Sequence, residues 1–254
     1  MRQHREAGVR PGKHHLCLWA AAALLLPLLP AGDAFPAGGP PLSGPRIRVE
    51  GEIFDFGFVP QQAYVSHTFW LKNPGTETVM IQRLAPNCGC TTAPLTDSVI
   101  PIGDSVPVQI TFGSRGMIGH VEKHTRIFSN AAGRVPALSF RADVATDTSA
   151  DLLLRVRPWA TRVDPADQPS SGDWSVPVAL ENSGKTAVEV RAIDLPPRDF
   201  SLSETRITLR PGEVHPITIT LSPLPEGSLG KSVTFELSSP AGVRLTVPVM
   251  RRGK

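Results

Sequence analysis

The sequence contains few residues of several types, and each scarcity limits the classes of protein to which the chain can belong. It has three cysteines, one tyrosine and 6% aromatic residues among 254. Its longest apolar stretch, Leu16–Pro30, has 15 residues, whereas a membrane-spanning helix needs about 20. Proline and glycine are instead abundant, at 26 and 22 residues. This composition favours a globular protein of many short elements separated by turns over one built from long helices.

Neither sign of charge is in clear excess once the N-terminal segment is set aside. The net charge is +3, and residues 1–34 hold four basic and two acidic residues. Without this segment the 26 basic and 23 acidic residues become 22 and 21. Because the remainder is nearly neutral, the pI of about 9.0 is no evidence for a nucleic-acid or anionic-membrane partner.

Catalytic sequence motifs are missing as well. No Gly-x-Ser-x-Gly elbow follows a strand, and no glycine-rich phosphate loop opens a helix. His-Glu-x-x-His is absent: HVEKH (120–124) has two histidines four residues apart, but the segment has strand character. The sequence therefore predicts a protein that is not an enzyme.

The N-terminal segment has the three parts of a secretory signal peptide. A basic region ends at His15, the apolar stretch follows, and small residues stand at Gly32 and Ala34 for cleavage before Phe35. Residues 1–34 are thus predicted to be a signal peptide, with an uncleaved anchor as the alternative and the one route to membrane contact. We expect the mature protein to be periplasmic or extracellular, in an oxidising compartment, with Cys88 and Cys90 as its only thiols.

After a Pro/Gly linker (35–45) the chain repeats itself at an offset of 109 residues. Asn73-Pro-Gly matches Asn182-Ser-Gly, and a later proline–glycine turn recurs at the same distance. The offset is expected to continue without gaps over about 60 positions, through the pairs Ser129/Ser238 and Gly133/Gly242. A constant offset over this length indicates an internal duplication. The predicted structural turn residues are Asn73, Gly75, Gly103, Asn182, Gly184 and Gly212.

Each copy shows the alternation of half-buried strands. Val, Ile, Thr and Phe recur at period two in segments such as VPVQITF and HPITITL, with turns every 8–12 residues. The predicted fold is all-β: two tandem immunoglobulin-like β-sandwich domains, 46–148 and 149–254. A barrel is the alternative. Because a Cys…Trp…Cys pattern is absent, the domains are not of the antibody type.

Five segments of the first copy carry a family resemblance. They are FDFGFV (54–59), LKNPGTETVMIQRL (71–84), NCGCTTA (87–93), IPIGDSVPVQITF (100–112) and GHVEKHTRIFSNAAG (119–133). In this order they resemble a bacterial exported domain family of unknown function built around a Cys-Gly-Cys-Thr core. That family is similar to the Hydin/ASPM/SPD-2 (ASH) and major-sperm-protein-like immunoglobulin folds. The resemblance covers about 46–146 and implies fold and export, but no reaction. One departure is Pro-Ile-Gly where the family has Pro-Gly, and the second copy resembles a generic Hydin-type repeat.

The Cys88-Gly-Cys90 segment leaves four interpretations open. A disulfide across one residue is the first, although Cα atoms two apart in an extended chain lie near the upper end of the bridging range. Gly89 would help by letting the backbone bend. Reduced, buried cysteines that act as small apolar filler are the second. The third is a Cu(I) site formed by two soft thiolates. The fourth is thiol–disulfide exchange, for which no helix is evident and Arg83, the nearest cation in the sequence, has solvent exposure as its plainer interpretation.

The candidate helper ligands for a metal are His120, His124 and Met117. At the offset of 109, the positions of Cys88 and Cys90 hold Pro197 and Asp199, and the histidines become Leu229 and Val233. The second copy therefore lacks every candidate ligand, so the shared scaffold does not require them. An exposed strand face with two solvated histidines is the plainer interpretation of GHVEKHT.

The sequence as a whole favours a non-enzymatic exported protein. We expect a protein-binding or structural immunoglobulin-like module of the cell envelope, whose partners are other envelope or periplasmic proteins. No nucleic acid and no resident cofactor are expected. The alternative is a periplasmic soft-metal protein, a copper-binding protein or chaperone that uses Cys88 and Cys90.

Overall fold

The computed structural model describes residues 43–146, 152–164, 172–195, 200–222 and 230–251. We call 43–146 the first half and the described residues from 152 onward the second half. The predicted signal peptide, most of the linker and the predicted domain boundary at 148/149 lie outside the described residues, so these stay predictions. Within the described residues, no helix is long and apolar enough to cross a membrane.

Eighteen β-strands form both halves, and the all-β prediction is confirmed at this level. In the first half they are β1 Arg48–Val49, β2 Ile53–Pro60, β3 Tyr64–Lys72, β4 Val79–Pro86, β5 Thr91–Thr92, β6 Val99–Ile100, β7 Ser105–Gly113, β8 Gly119–Ser129 and β9 Leu138–Ala145. In the second half they are β10 Leu154–Arg157, β11 Thr161–Val163, β12 Trp174–Asn182, β13 Val188–Asp194, β14 Phe200–Leu202, β15 Arg206–Leu209, β16 Val214–Leu221, β17 Gly230–Leu237 and β18 Arg244–Arg251.

The strands form sandwich-like sheets with the same order in each half. One sheet is β1-β3-β7-β5 in the first half and β10-β12-β16-β14 in the second. The other is β2-β9-β8-β4-β6 in the first half, and its counterpart in the second contains β18-β17-β13-β15, with β11 paired to β18. A parallel bridge between Leu245 and Phe58 joins these two into one ten-stranded sheet.

Period-two alternation places the apolar side chains in two separate cores. In β9, Leu138, Phe140, Ala142 and Val144 are buried and their neighbours face outward. The buried residues of the first core lie between Ile47 and Val144, and those of the second lie between Leu152 and Val249. Each half therefore buries its own apolar face.

The Asn-x-Gly turns carry the same hydrogen bonds in both halves. Asn73 is fully buried; its Nδ2 donates to the carbonyls of Glu77 (2.8 Å) and Ile100 (3.0 Å), and its Oδ1 accepts from Gly75 N (3.0 Å). Asn182 is also fully buried. It repeats the three bonds 109 residues later at 2.8, 3.0 and 2.9 Å, with Thr186, Leu209 and Gly184. A buried amide is tolerated here because its donors and acceptor are all satisfied.

The turn glycines complete these networks. Gly103 N and Gly212 N each donate 2.8 Å bonds to the carbonyls of Asn73 and Asn182. Their φ angles of +77° and +73° lie in the left-handed region, which glycine adopts without a steric penalty. In each half, the predicted turn residues therefore tie the Asn-x-Gly turn to the later proline–glycine turn.

The expected gapless offset is wrong at β8. Ile81 pairs with Ser129, whereas its counterpart Val190 pairs with Leu237. The offset is thus 109 for β4 and β13 but 108 for β8 and β17. A slip of one residue in a strand exchanges its inward and outward faces, so the true counterpart of Ile127 in the core must be the inward Phe235.

The one-residue shift at β8 changes the predicted counterpart of the candidate ligand His124. At the corrected offset His124 corresponds to Ser232, not Val233. The predicted counterparts of Cys88, Cys90 and His120 lie at Pro197, Asp199 and Leu229, outside the described residues.

The two halves meet on the outer face of the second half's long sheet. Ser232, Thr234 and Thr246 alternate with the core residues of β17 and β18, yet they are at most 1% exposed. Ser232 Oγ accepts from Ser66 N (3.0 Å) and donates to Ser66 O (3.1 Å), and Thr246 Oγ1 donates to Phe56 O (2.6 Å). Ser232 and Thr246 are thus satisfied by main-chain atoms of the first half, and Thr234 Oγ1 lies 2.9 Å from Thr246 Oγ1, so all three hydroxyls can be buried.

Two further contacts fix this junction. Gly57 has φ +62°, and a Cβ there would overlap the main chain of Arg244, so only glycine permits this approach. His67 Nδ1 lies 2.9 Å from Asp194 Oδ2, and the His67 ring stacks on Phe54 with 3.7 Å between ring centroids. The halves therefore meet through hydrogen bonds, the His67–Asp194 pair and a close main-chain approach, with a separate core on each side.

Candidate functional site

The Cys-Gly-Cys-Thr loop joins β4 to β5 and is held at its start by Asn87. Asn87 N donates to His124 O (3.0 Å), and His124 N donates to Asn87 Oδ1 (3.2 Å). The Asn87 Nδ2 and His124 Nδ1 atoms are 3.3 Å apart. Asn87 therefore extends the β4–β8 pairing by one residue before the chain turns away.

The far end of the loop is held by β7. Gly113 N donates to Cys90 O (2.8 Å), and Thr91 pairs with Phe112. Thr91 is 5% exposed, and its Oγ1 lies 3.4 Å from Cys88 Sγ and 3.8 Å from Cys90 Sγ. The loop is thus clamped by main-chain hydrogen bonds on both sides of the cysteines.

In the structure Cys88 and Cys90 form a disulfide with a Cα–Cα distance of 5.3 Å. This distance lies in the middle of the usual range, not near its upper end, because the chain turns here instead of running extended. The expected role of Gly89 is wrong: its φ is not in the left-handed region, and a Cβ there would meet no atom within 4 Å. Nothing in the local geometry requires glycine at this position.

The disulfide adds little to stability as a cross-link. It closes a loop of three residues, for which the chain-entropy relation gives about 1.5 kcal/mol. The hydrogen bonds of Asn87, Cys90 and Thr91 already hold the loop. Gly89 at its tip is exposed, while Cys88 and Cys90 are half-buried. The bond is therefore accessible and is not needed to shape the loop.

Of the predicted helper ligands, His124 lies beside Asn87, next to the cysteines, but the structure engages the other two elsewhere. His120 Nδ1 lies 3.0 Å from Asp143 Oδ1 and its side chain is 61% exposed, whereas Met117 packs against the first core. Among the described residues, no group of three or more His, Cys, Asp and Glu is placed to hold a metal ion. Cu(I) binding by the reduced cysteine pair stays a prediction. Its test is the Cu(I) affinity of the reduced protein against that of the Cys88→Ser/Cys90→Ser variant.

Beyond Asn87, strand β8 has an open edge. Main-chain groups alternate sides along a strand, so the N–H and C=O groups of Glu122 and His120 point to the same side as those of His124. In the described part of the chain these groups have no hydrogen-bond partner on that side. We call residues 119–123 the β8 edge; it begins where the chain turns into the disulfide.

The outer face of the first half's long sheet is exposed, unlike its counterpart in the second half. On β8 this face carries Arg126, which is exposed, and Phe128, whose ring lies 3.5 Å from the Arg83 guanidinium carbon. Toward the sheet margin, Met80 and Val99 pair across β4 and β6 and are 58% and 48% exposed. This face combines an apolar margin with arginines.

Sequence reasoning missed the residues that join the halves. A partial signal was present at Thr234, Thr246 and Pro248, which are neutral outward residues, although the same two strands also carry the charged Glu236 and Arg244 on that side. Asn87 was also missed, although it stands directly before the cysteines. Its role depends on the neighbouring strand, which the local sequence does not specify.

A comparison with known families gives a match in the first half. Residues 47–144 match the model of a family described as "Protein of unknown function (DUF1573)", which confirms the predicted resemblance over that segment. A comparison with curated proteins finds no match.

Several solved structures are similar to the chain at low identity. One is a protein of unknown function from Porphyromonas gingivalis W83, with 11% identity over 82% of this chain and 99% of that chain, TM-score 0.33. Another is WR4, a C. elegans MSP family member, with 6% identity over 39% and 98%, TM-score 0.33. A third is the ASH/PapD-like domain of human CEP192, with 15% identity over 44% and 91%, TM-score 0.32. At these values the likeness says nothing about what this chain binds.

Proposed function

We propose that this chain is an exported, non-enzymatic protein that binds or organises other envelope proteins through the outer face of its first half. In this proposal a signal peptide (1–34) is followed by two immunoglobulin-like sandwich domains that act as one rigid body. The basic and apolar N-terminal sequence supports export, and the repeated Asn73 and Asn182 networks support the duplication.

One observation carries the proposal: the equivalent face of the second half is already a protein–protein contact. There Ser232 and Thr246 are buried against main-chain atoms of the first half. Toward the margin of the same face, the first half offers exposed apolar residues at Met80 and Val99, where the second half has the polar pair Glu189 and Thr208. A face that packs against a neighbouring sandwich in one copy can serve as a docking surface in the other, and exposed apolar patches rimmed by polar residues mark such surfaces.

The distribution of exposed apolar side chains favours the first half as the half that binds partners. Seven of the eight large apolar residues exposed in the described part of the chain lie there, and only Val214 lies in the second half. Scattered single residues need no explanation, but Met80 and Val99 form a cross-strand pair on one face. This pair is the proposed centre of the contact.

The test is site-specific photo-crosslinking in the native compartment. A photoreactive amino acid replaces Met80, and the matched control carries it at Glu189, the equivalent and also exposed position of β13. We expect discrete protein adducts from position 80 and none from position 189. Loss of the position 80 adducts in a Val99→Asp background would support a specific surface. Equal adducts at both positions, or none at position 80, would contradict the proposal.

A further inference from the structure

We infer that the Cys88–Cys90 disulfide captures partner proteins covalently, by thiol–disulfide exchange with a cysteine in an extended segment that docks along the β8 edge. The inference rests on the proposed function, since it assumes that partners bind the first half, and it specifies their chemistry. It concerns the disulfide, which no structural role accounts for, and the unpaired strand edge beside it.

The β8 edge can accept an added strand in line with β4. Strand β4 ends at Pro86, Asn87 bonds His124, and the chain then leaves the sheet at Cys88. An extended segment continuing that line would find the N–H and C=O groups of Glu122 and His120 facing it. Main-chain pairing to an exposed edge is a general mode of peptide recognition.

Two other open strand stretches in the described part of the chain are protected against the same docking. Strand β7 pairs with β5 only over two residues, but Pro107 stands in its otherwise open stretch. Pro216 occupies the equivalent position in β16, 109 residues later. Proline lacks the N–H that pairing needs and blunts an edge strand. The β8 edge carries no proline.

The disulfide sits where the docked segment would pass. Asn87 is the last residue bonded to β8, and Cys88 follows it directly. Of the two cysteines, only Cys90 packs against the first core, so Cys88 Sγ is the sulfur open to attack. The attacking thiolate belongs to the partner, which is why capture requires no activating cation in this chain.

The exchange balances without any outside oxidant. A partner cysteine loses its proton to water, and its thiolate attacks Cys88 Sγ. The Cys88–Cys90 bond breaks while a bond forms between the partner sulfur and Cys88 Sγ. The electron pair leaves on Cys90 Sγ, which takes a proton from water. The partner cysteine is oxidised and Cys90 is reduced to a thiol.

The surroundings of Cys90 favour a lasting adduct. A sulfur packed against apolar side chains is a poor thiolate, so Cys90 leaves slowly in the forward step but stays protonated afterwards, and reversal requires that it lose this proton again. The Thr91 hydroxyl, 3.8 Å from Cys90 Sγ, is its polar neighbour. The product is therefore a mixed disulfide at Cys88. The partner stays covalently bound and is not released by a second exchange.

The inference can be tested with the purified oxidised protein and three thiol probes. The first is an eight-residue peptide of alternating Thr and Val with one central cysteine. The second is the same peptide with N-methylated residues on both sides of the cysteine, which cannot pair with a strand edge. The third is glutathione. Adducts are trapped with acid, measured by intact mass and mapped by peptide mass spectrometry.

We expect the adduct on Cys88, formed about tenfold faster with the first peptide than with its N-methylated form. Glu122→Pro removes an edge N–H that does not face β9, so it should abolish the tenfold preference and leave the glutathione rate unchanged. Equal rates for the two peptides, an adduct on Cys90, or no adduct would overturn the inference. Because the N-methyl comparison uses the unaltered protein, it decides the matter even if Glu122→Pro fails to fold. If capture fails but the position 80 crosslinks remain, the proposed function stands without it.

Discussion

The outer faces of the two long sheets have the same position in the fold but different surroundings. In the second half Ser232 and Thr234 lie under the first half and are at most 1% exposed. In the first half the equivalent positions hold His124 and Arg126, which are open to solvent to differing degrees. Small hydroxyl side chains can be buried once they find one partner, whereas a guanidinium needs several. The kind of side chain on a sheet face therefore depends on whether another domain covers that face.

The largest change in the free energy of unfolding is expected when the residues of one equivalent pair of positions are exchanged between the two halves. Thr234→Arg places a long cation in a fully buried site where Thr234 Oγ1 lies 2.9 Å from Thr246 Oγ1. We expect the free energy of unfolding to fall by at least about 3 kcal/mol. The reciprocal Arg126→Thr should change it by less than about 0.5 kcal/mol, since Arg126 is on the surface. Urea unfolding measures both, and similar losses from the two variants would contradict the assigned surroundings.

The next test concerns what the two halves share. Asn73→Ala and Asn182→Ala each leave two carbonyls and the N–H of the turn glycine without their side-chain partner, and Asn73→Ala also removes the 3.4 Å bond from Arg46 N. Each should cost about 2–3 kcal/mol in the free energy of unfolding, because unsatisfied buried groups lose their hydrogen bonds to both protein and water. The two losses should agree within about 1 kcal/mol. A loss confined to one half would show that the networks are not equivalent.

The cysteine pair is peculiar to the first half, and its removal should have a smaller effect. Cys88→Ser/Cys90→Ser should lower the free energy of unfolding by about 1.5 kcal/mol or less, because the bond closes only three residues. The matched control Gly89→Ala should be neutral within about 0.5 kcal/mol, since a Cβ there meets no neighbour. A loss several times larger from the double variant would make the disulfide a structural cross-link and remove one argument for capture.

The smallest expected effect depends on pH and belongs to the second half. Burial acts to raise the pKa of Glu236, but hydrogen bonds from Arg244 and Arg191 outweigh it and hold this pKa below the ordinary value of 4.5. A carboxyl group with a lowered folded-state pKa stabilises the fold above its unfolded-state pKa, and this contribution is lost as pH falls through the folded value.

Glu236→Gln should therefore cost about 1 kcal/mol at pH 7 and make stability less sensitive to acid below about pH 4.5. The measurement is the free energy of unfolding of both proteins from pH 7 to pH 3. Parallel curves over this range would mean that the two arginines do not stabilise the Glu236 carboxylate.

Much of the fold and part of the site could be predicted from the sequence. Alternating residues predicted the strands, and Asn73 and Asn182 marked two turns that the structure builds identically. The contact between the halves could not be predicted, because alternation shows which side of a strand faces its own core but not what covers the other side. The one-residue slip at β8 was missed because the identity of Ser129 and Ser238 concealed it. The placement of Cys88 depends on Asn87 and β8, which are distant in sequence.

The most direct test of the central claim is the thiol accessibility of one equivalent pair of positions. Single cysteines replace Arg126 and Thr234 in a background in which all three natural cysteines are serine, and maleimide labelling rates are measured on the purified folded protein. Arg126→Cys should label nearly as fast as the unfolded chain, and Thr234→Cys should be protected by at least about 100-fold, because only the second position lies under the first half. Similar labelling rates at both positions would contradict the claim that the first half covers this face.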